Sequence, residues 1–321
     1  MTKNRIQILN EKMLSQPRYV SIEQALIITK TYKQHENEPI ILKRAYALAN
    51  ALRELEIGIE NEELIVGNRT KGVRYGVVFP ESGISWVDRE FETISTRKQD
   101  KFLVRDEDIK IFREQIVPYW KGKSLEDVIK QNFGKEINEI AKVVKINQTD
   151  HAQGHICPNV EKWLQKGVSG LLEDAQNHYE NADEDKKNFY QAIIIVMKAV
   201  QNFMLRYHDL LIATAKDDEK NRASLIKVAD ICKNISQRPP QTFHEAVQAT
   251  WFLFVILHME SNASSFSPGR LDKILYPYYI KDIENNILTK DEALEIIECL
   301  WLKFNEIVYL RKILCRFSYW L

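Results

Sequence analysis

Two stretches gather the residues whose types and spacing could do chemistry. The first, TDHAQGHICPN from Thr149 to Asn159, sets an acid, two histidines, a glycine and a cysteine in one loop-like run. His151 and His155 stand four apart, the spacing that puts two rings on one helix face, and Cys157 is close by, so zinc is the first chemistry to test. Gly154 between the histidines and Pro158 after them oppose a continuous helix. No paired Cys or His group elsewhere supplies a fourth ligand, so a metal-dependent hydrolase built on His151 and His155 ranks below a plain hydrogen-bonded loop. The other functional option is a histidine facing a pocket, with Gly154 allowing close backbone approach and Asn147, Gln148 and Asp150 orienting it.

The second stretch, ESNASSFSPGRLD from Glu260 to Asp272, follows a long apolar run. Asn and Ser close turns through side-chain to backbone bonds and Pro268-Gly269 punctuates the chain, so a helix exit is the plain account. The same hydroxyls and amide, fed from a buried helix, can also serve as donors on the floor of an enclosed site. Arg270 and Asp272 read as a structural ion pair in preference to an anion clamp.

The elements that must position these groups are mostly helices. Ser21-Ile22-Glu23-Gln24, Thr242-Phe243-His244-Glu245 and Thr289-Lys290-Asp291-Glu292 each have the form of a capping box at a helix start. Pro39 opens another helix, with Ile41, Leu42, Ala45, Leu48, Leu52 and Leu55 as an apolar stripe. A long helix is expected over 184–215, a second over 224–236 ending before Pro239-Pro240, and a third from Thr242 that is apolar on every side between Ala246 and Leu257 and must therefore be buried. Strand signals are confined to Leu64–Val66 and Val77–Phe79.

Composition excludes several classes. The chain has 321 residues, with 45 Lys+Arg against 45 Asp+Glu, so its charge points to neither nucleic acid nor an anionic membrane surface. With 45% hydrophobic residues it can bury a sizeable core. The opening MTKNRIQILNEKM lacks the continuous apolar region of a secretory signal, and the longest apolar run, TWFLFVIL, is far shorter than the roughly 20 residues that span a bilayer. The cysteines at 157, 232, 299 and 315 form no CxxC pair and read as inert thiols. A cytoplasmic protein is expected.

The ordered motifs SIEQALIITKTYKQHENEPIILKRA, ENEELIVGNRT, PESGISW, RKQDKF, INQTDHAQGH, PQTFHEAVQATWF, ESNASSFSPGRLD and ALEIIECLWLKFNEIVYLR run from Ser21 to Arg311. Over that length the chain resembles the glycyl radical enzymes of the pyruvate formate-lyase-like group, which includes formate acetyltransferase-like proteins, diol and glycerol dehydratases and choline trimethylamine-lyase. The resemblance implies a fold class: a mainly α-helical N-terminal part of a ten-stranded α/β barrel that encloses its chemistry. It implies a radical installed on a C-terminal glycine by an activating enzyme using S-adenosylmethionine and an iron–sulfur cluster, and passed to a barrel cysteine that attacks the substrate. No cofactor is expected on this chain itself.

By the same resemblance His155 corresponds to a histidine that contacts a substrate hydroxyl, and Ser265 to a substrate-contacting serine. Asn262 and Ser264 complete the expected substrate-binding set; Ser264 stands where glycerol dehydratase-like members carry histidine. No catalytic residue and no metal ligand is assigned. The family's cysteine stands in a glycine-cysteine loop and its radical glycine in an arginine-valine-any-glycine-tyrosine motif; none of the four cysteines has that context, and no glycine follows Gly269. The tail KILCRFSYWL also departs from the family pattern. The expectation is a family portion over 1–311 followed by a non-family tail over 312–321 left by a frameshift or truncation, inactive alone. Its expected partners are a small oxygenated substrate cleaved at a C–C, C–O or C–N bond, the radical activase, and a second copy or a complementary C-terminal chain. A helical interaction or scaffold protein derived from the same fold is the alternative. The helices at 246–257 and 289–308 are expected to have lost their packing partners and to leave exposed apolar patches.

Overall fold

The computed structural model describes residues 4–144, 155–262 and 265–312. In chain order, α1 (Arg5–Ser15) leads to a short strand β1 (Val20–Ser21), then α2 (Glu23–Gln34) and α3 (Ile40–Glu54). After β2 (Gly76–Val77) come α4 (Ser85–Glu90), α5 (Asp106–Ile111) and α6 (Val117–Trp120), the last two joined by a π-helical turn at Phe112–Ile116, and then α7 (Leu125–Ala141). The rest is α8 (Val160–Glu180), α9 (Glu184–Asp217), α10 (Arg222–Gln237), α11 (Phe243–Glu260), α12 (Leu271–Glu284) and α13 (Lys290–Glu306). The strands pair in parallel, Val20 with Gly76 and Ser21 with Val77.

Cap chemistry sets three of these boundaries differently. At α13 the box closes: Thr289 Oγ1 accepts the Glu292 N–H at 3.2 Å and Glu292 Oε2 accepts the Thr289 N–H at 2.8 Å. At α11 only half forms, because Thr242 accepts the Glu245 N–H while the Glu245 carboxylate is taken by Arg238 at 2.8 and 2.9 Å. Ser21 caps nothing: it lies in β1, where its carbonyl accepts the Val78 N–H, and α2 starts at Glu23 behind Ile22 without a side-chain cap. Strand pairing of the Ser21 backbone has displaced the expected box.

Helix α9 lies against α3, α8 and α10, and α11 against α3, α8, α10, α12 and α13, giving one large core that includes Trp163, Phe203, Tyr207, Trp251 and Phe252. A second core gathers Val20, Ile28, Trp86, Phe91, Phe102, Phe112 and Trp120. The expectation that 246–257 would lie bare is overturned. Ala246, Val247, Trp251, Phe252 and Val255 are fully buried by this chain's own helices, because an element apolar on every side finds helix surfaces all around it. Helix α13 does leave Leu294 and Trp301 more than half exposed.

Leu64–Val66, expected as a strand, pairs with no strand. Side chains of α11 take its backbone groups instead, and one of α9 takes a loop residue that follows. Leu64 O accepts from His244 Nε2 at 2.7 Å, and Val66 exchanges two bonds with Gln248, 2.9 Å from its N–H and 2.7 Å to its carbonyl. Gly67 O accepts from Trp251 Nε1 at 2.8 Å and the Asn68 N–H donates to Tyr207 Oη at 2.9 Å. His244, Gln248 and Trp251 share one face of α11, so a single helix supplies much of what a neighbouring strand would supply. At Gly67, with φ +123°, a Cβ would stand 3.1 Å from the Phe252 ring.

Candidate functional site

The two chemistry-bearing stretches meet. The Ser267 N–H donates to the Ile156 carbonyl at 2.8 Å, tying the loop before α8 to the loop after α11 across more than a hundred residues of sequence. A Cβ built on Gly269, which has φ +72°, would lie 3.3 Å from Cys157 Sγ, so the glycine lets the loops close on each other. His155 and Ser265 face solvent from this junction, each on a left-handed backbone with φ of 59° and 64°. A non-glycine residue held in that region costs of order 1–3 kcal/mol.

Asn262, just past the end of α11, is buried, 7% exposed. Ser264, with His151 and the rest of the INQTDHAQG run, lies outside the described residues. The structure therefore brings His155, Ser265 and Asn262 into adjacent loops. Arg270 and Asp272 do form the expected ion pair, at 2.8 Å between Arg270 Nε and Asp272 Oδ1, but both side chains are largely exposed, so it carries little of the structural role expected of it.

The loop after α11 is held from below by groups that the sequence did not mark. Gln24 Nε2 on α2 donates to the Met259 carbonyl at 2.9 Å, and Arg44 on α3 donates to the Glu260 carbonyl at 2.9 Å while pairing with the Glu260 carboxylate. These bonds satisfy carbonyls that a helix C-terminus leaves open, so two other helices set the level at which the loop departs. Burial works against the Arg44 charge but is outweighed by Glu260, which holds the guanidinium firmly protonated. Glu81 beside them is pushed up by burial, and its Oε2 has no hydrogen-bond partner among the described residues.

On the other side stands His258, 1% exposed. Its Nδ1 lies 2.7 Å from the Phe254 carbonyl and its Nε2 lies 2.8 Å from Tyr309 Oη. A carbonyl only accepts, so Nδ1 carries the hydrogen, and in the neutral ring Nε2 accepts the tyrosine O–H. Burial drives the imidazole pKa down to about 4, with the Arg69 charge adding to the fall, so the ring is neutral near pH 7. The Ser265 amide donates toward the same Tyr309 oxygen. The chain of contacts from Ser265 through Tyr309 to His258 thereby anchors the left-handed turn at Ser265 in the α11 core. The Tyr309 ring is flanked by the guanidiniums of Arg69, 5.8 Å from its centroid, and Arg311, 5.1 Å away. Arg69 is fully buried, donates to the Val308 carbonyl, and has its pKa lowered by burial to about 10. A histidine inside FVILHME, a polar group within an apolar run, was the available signal for this support, whereas Arg69 stands between Asn68 and Thr70 and carried none.

Among the described residues no group of three His, Cys, Asp or Glu is placed to hold a metal ion, and no helix is long and apolar enough to cross a membrane. Cys232 and Cys299 are buried, with thiols pushed up by burial to values far from thiolate chemistry at neutral pH. A groove of about 430 Å³ opens between α12 and α13, lined by Phe243, Leu275, Tyr276, Leu294, Ile297 and Trp301. None of the expected substrate-contacting residues lines it.

The family model for pyruvate formate lyase-like proteins matches residues 1–316. A probable dehydratase of Escherichia coli (strain K12) is 34% identical over 305 residues, covering 91% of this chain and 37% of the relative. Among solved structures, the glycerol-bound B12-independent glycerol dehydratase of Clostridium butyricum superposes with a TM-score of 0.91 at 32% identity, over 98% of this chain and 41% of that one. A glycyl radical enzyme of Archaeoglobus fulgidus superposes with a TM-score of 0.90 at 33% identity, over 95% and 40%. The chain thus spans about two fifths of the length of the proteins it matches.

Proposed function

Because the chain belongs to the pyruvate formate lyase-like family, we propose that its 321 residues form the N-terminal, substrate-facing wall of a glycyl radical dehydratase- or lyase-type enzyme. The observation that carries the reading is the Ser267–Ile156 bond, which ties the segment just after His155 to the segment just after Ser265. On that surface His155 and Ser265 contact a hydroxyl of a small oxygenated substrate, and Ser264 and Asn262 belong to the same substrate-binding set. Tyr309 and His258 hold the Ser265 turn in place without touching substrate. Substrates cleaved at C–C, C–O or C–N bonds all suit a wall of hydroxyls, an amide and an imidazole, since fold and wall chemistry do not select the bond. A formate acetyltransferase-type acyl transfer is compatible with it too.

The radical supplies hydrogen abstraction, and these residues supply orientation and exclusion of water. Neither the glycine-cysteine loop nor the radical-glycine motif occurs in these 321 residues, so the polypeptide by itself does not turn over. The complete enzyme works in the cytoplasm with a radical activase, and its remaining barrel comes from a complementary chain or chain portion.

The test is anaerobic treatment with an activase and S-adenosylmethionine, followed by electron paramagnetic resonance. The 321-residue polypeptide alone is expected to give no glycyl doublet, and its mixture with a polypeptide carrying the two missing motifs is expected to give one. In that mixture Ser265→Ala should lower kcat/KM by about 10-fold or more while leaving the radical signal intact. A doublet or turnover from the polypeptide alone overturns the proposal of inactivity. Unchanged kinetics in Ser265→Ala overturns the assignment of the wall.

A further inference from the structure

Three arginines from separate stretches converge beside the β1–β2 pair. Arg18 enters β1, Arg74 precedes β2 on a left-handed backbone with φ +60°, and Arg97 comes from the turn before Phe102. Phe102 is a floor that two of them share: the Arg18 guanidinium carbon is 4.4 Å from its ring centroid and that of Arg97 is 6.0 Å away. Arg97 is fully occupied. Its Nε and Nη2 donate to the Asp100 carbonyl at 2.9 and 2.6 Å and its Nη1 donates to the Arg311 carbonyl at 2.8 Å.

Arg18 and Arg74 are in a different condition. The Nε atoms of both are buried without a hydrogen-bond partner among the described residues. No described carboxylate lies at ion-pair distance from either guanidinium, and Arg18 is exposed to the like charges of Arg74 and Arg97, relieved only in part by Asp100. A guanidinium is a planar fork that matches the oxygens of a carboxylate or phosphate. Water would satisfy the orphaned N–H groups but would leave the mutual repulsion. A group with two or more oxygens and a negative charge answers both requirements, and both side chains are only partly covered, so such a group can reach them.

We propose that Arg18 and Arg74, walled by Phe102 and Arg97, form a binding site for an oxyanion of the phosphate or carboxylate class. The site is independent of the substrate wall, and the anion can be a free one or a carboxylate carried on polypeptide.

The experiment is thermal unfolding of the 321-residue protein against rising inorganic phosphate and, separately, acetate, with potassium chloride at matched ionic strength as the control. A saturable rise of about 2–4 °C beyond chloride is expected in the wild type. Saturation by phosphate at the lower concentration identifies a free phosphate-type anion, and saturation by acetate at the lower concentration identifies a protein carboxylate. Arg74→Gln, which leaves the Arg18–Phe102 stack in place, should weaken the response at least tenfold in concentration, and R18Q/R74Q should abolish it. R18K/R74K, keeping charge without the fork, should restore part of it. No rise beyond chloride with either anion, or an equal rise in wild type and Arg74→Gln, overturns the proposal.

Discussion

Lys303 shows how much single residues can carry here. Its Nζ lies 2.8 Å from Glu63 and 2.6 Å from Glu306, with all three side chains 8% exposed or less. Asn68 Nδ2 adds a bond to Glu306 at 3.3 Å. Burial raises the Glu306 pKa, and the nearby Glu63 charge adds to it, while Lys303 opposes the rise. Two acids share one base, so the ammonium is the group that keeps both carboxylates tolerable. Lys303→Met should therefore cost about 3–5 kcal/mol, the range for stranding buried charge. A carboxylate with a raised folded pKa contributes stability below its unfolded value and loses it as pH rises through the folded value. The deficit of Lys303→Met in urea unfolding should accordingly be smaller at about pH 5 than at about pH 8. An equal deficit at both would mean that the cost is packing alone.

At the scale of elements, the long helices work as much by their interruptions as by their runs. Helix α8 contains Gly167 at φ 62° and ψ 177°, a kink inside Val160–Glu180. A Cβ there would stand 2.9 Å from the Pro239 backbone, the proline that follows α10. Neither partner can yield cheaply, since one is a strained backbone and the other a proline main chain. Gly167→Ala should destabilise by about 2 kcal/mol or more and loosen the packing of α8 on α10, whereas Gly134→Ala, at an open helical position, should be neutral or slightly stabilising. Chemical denaturation of the two variants side by side checks the contrast, and similar stabilities for both would refute it. Both glycines lie inside helices, Gly134 in α7 and Gly167 in α8. Only the approach of another chain segment separates them.

For the whole molecule, pH acts through histidines enclosed in the main core. His244 and His258 both have folded pKa values lowered by burial from 6.5 to about 4. His244 donates from Nε2 to Leu64 O while its Nδ1 is buried without a partner among the described residues, so protonation would add a buried N–H that none of them accepts. A histidine with a depressed pKa stabilises the fold above its unfolded value, and that stability is lost as pH falls from 6.5 toward 4. The raised Glu306 works in the opposite sense, so the clean measurement is a difference. His244→Gln, which can still donate to Leu64 O, should lower the proton uptake on unfolding by about one across that window. Unchanged pH dependence in H244Q would remove His244 from this role.

The amino-acid sequence by itself determined the helical class, the span of α9, α10 and α13, the boxed start at Thr289 and the two stretches that carry polar chemistry. Those features rest on local spacing and on caps within three residues of each other, and motif resemblance added the family. Only the tertiary structure decided that Leu64–Val66 bonds to side chains of α11 instead of to a strand, that Ser21 joins β1 instead of capping α2, and that the apolar α11 is enclosed by its own chain. It also decided that His258 and Tyr309 stand under Ser265. The physical reason is common to all of them: a buried polar group takes whichever partner folding brings within hydrogen-bond reach, and from Gln248 to Val66 that partner is 182 positions away.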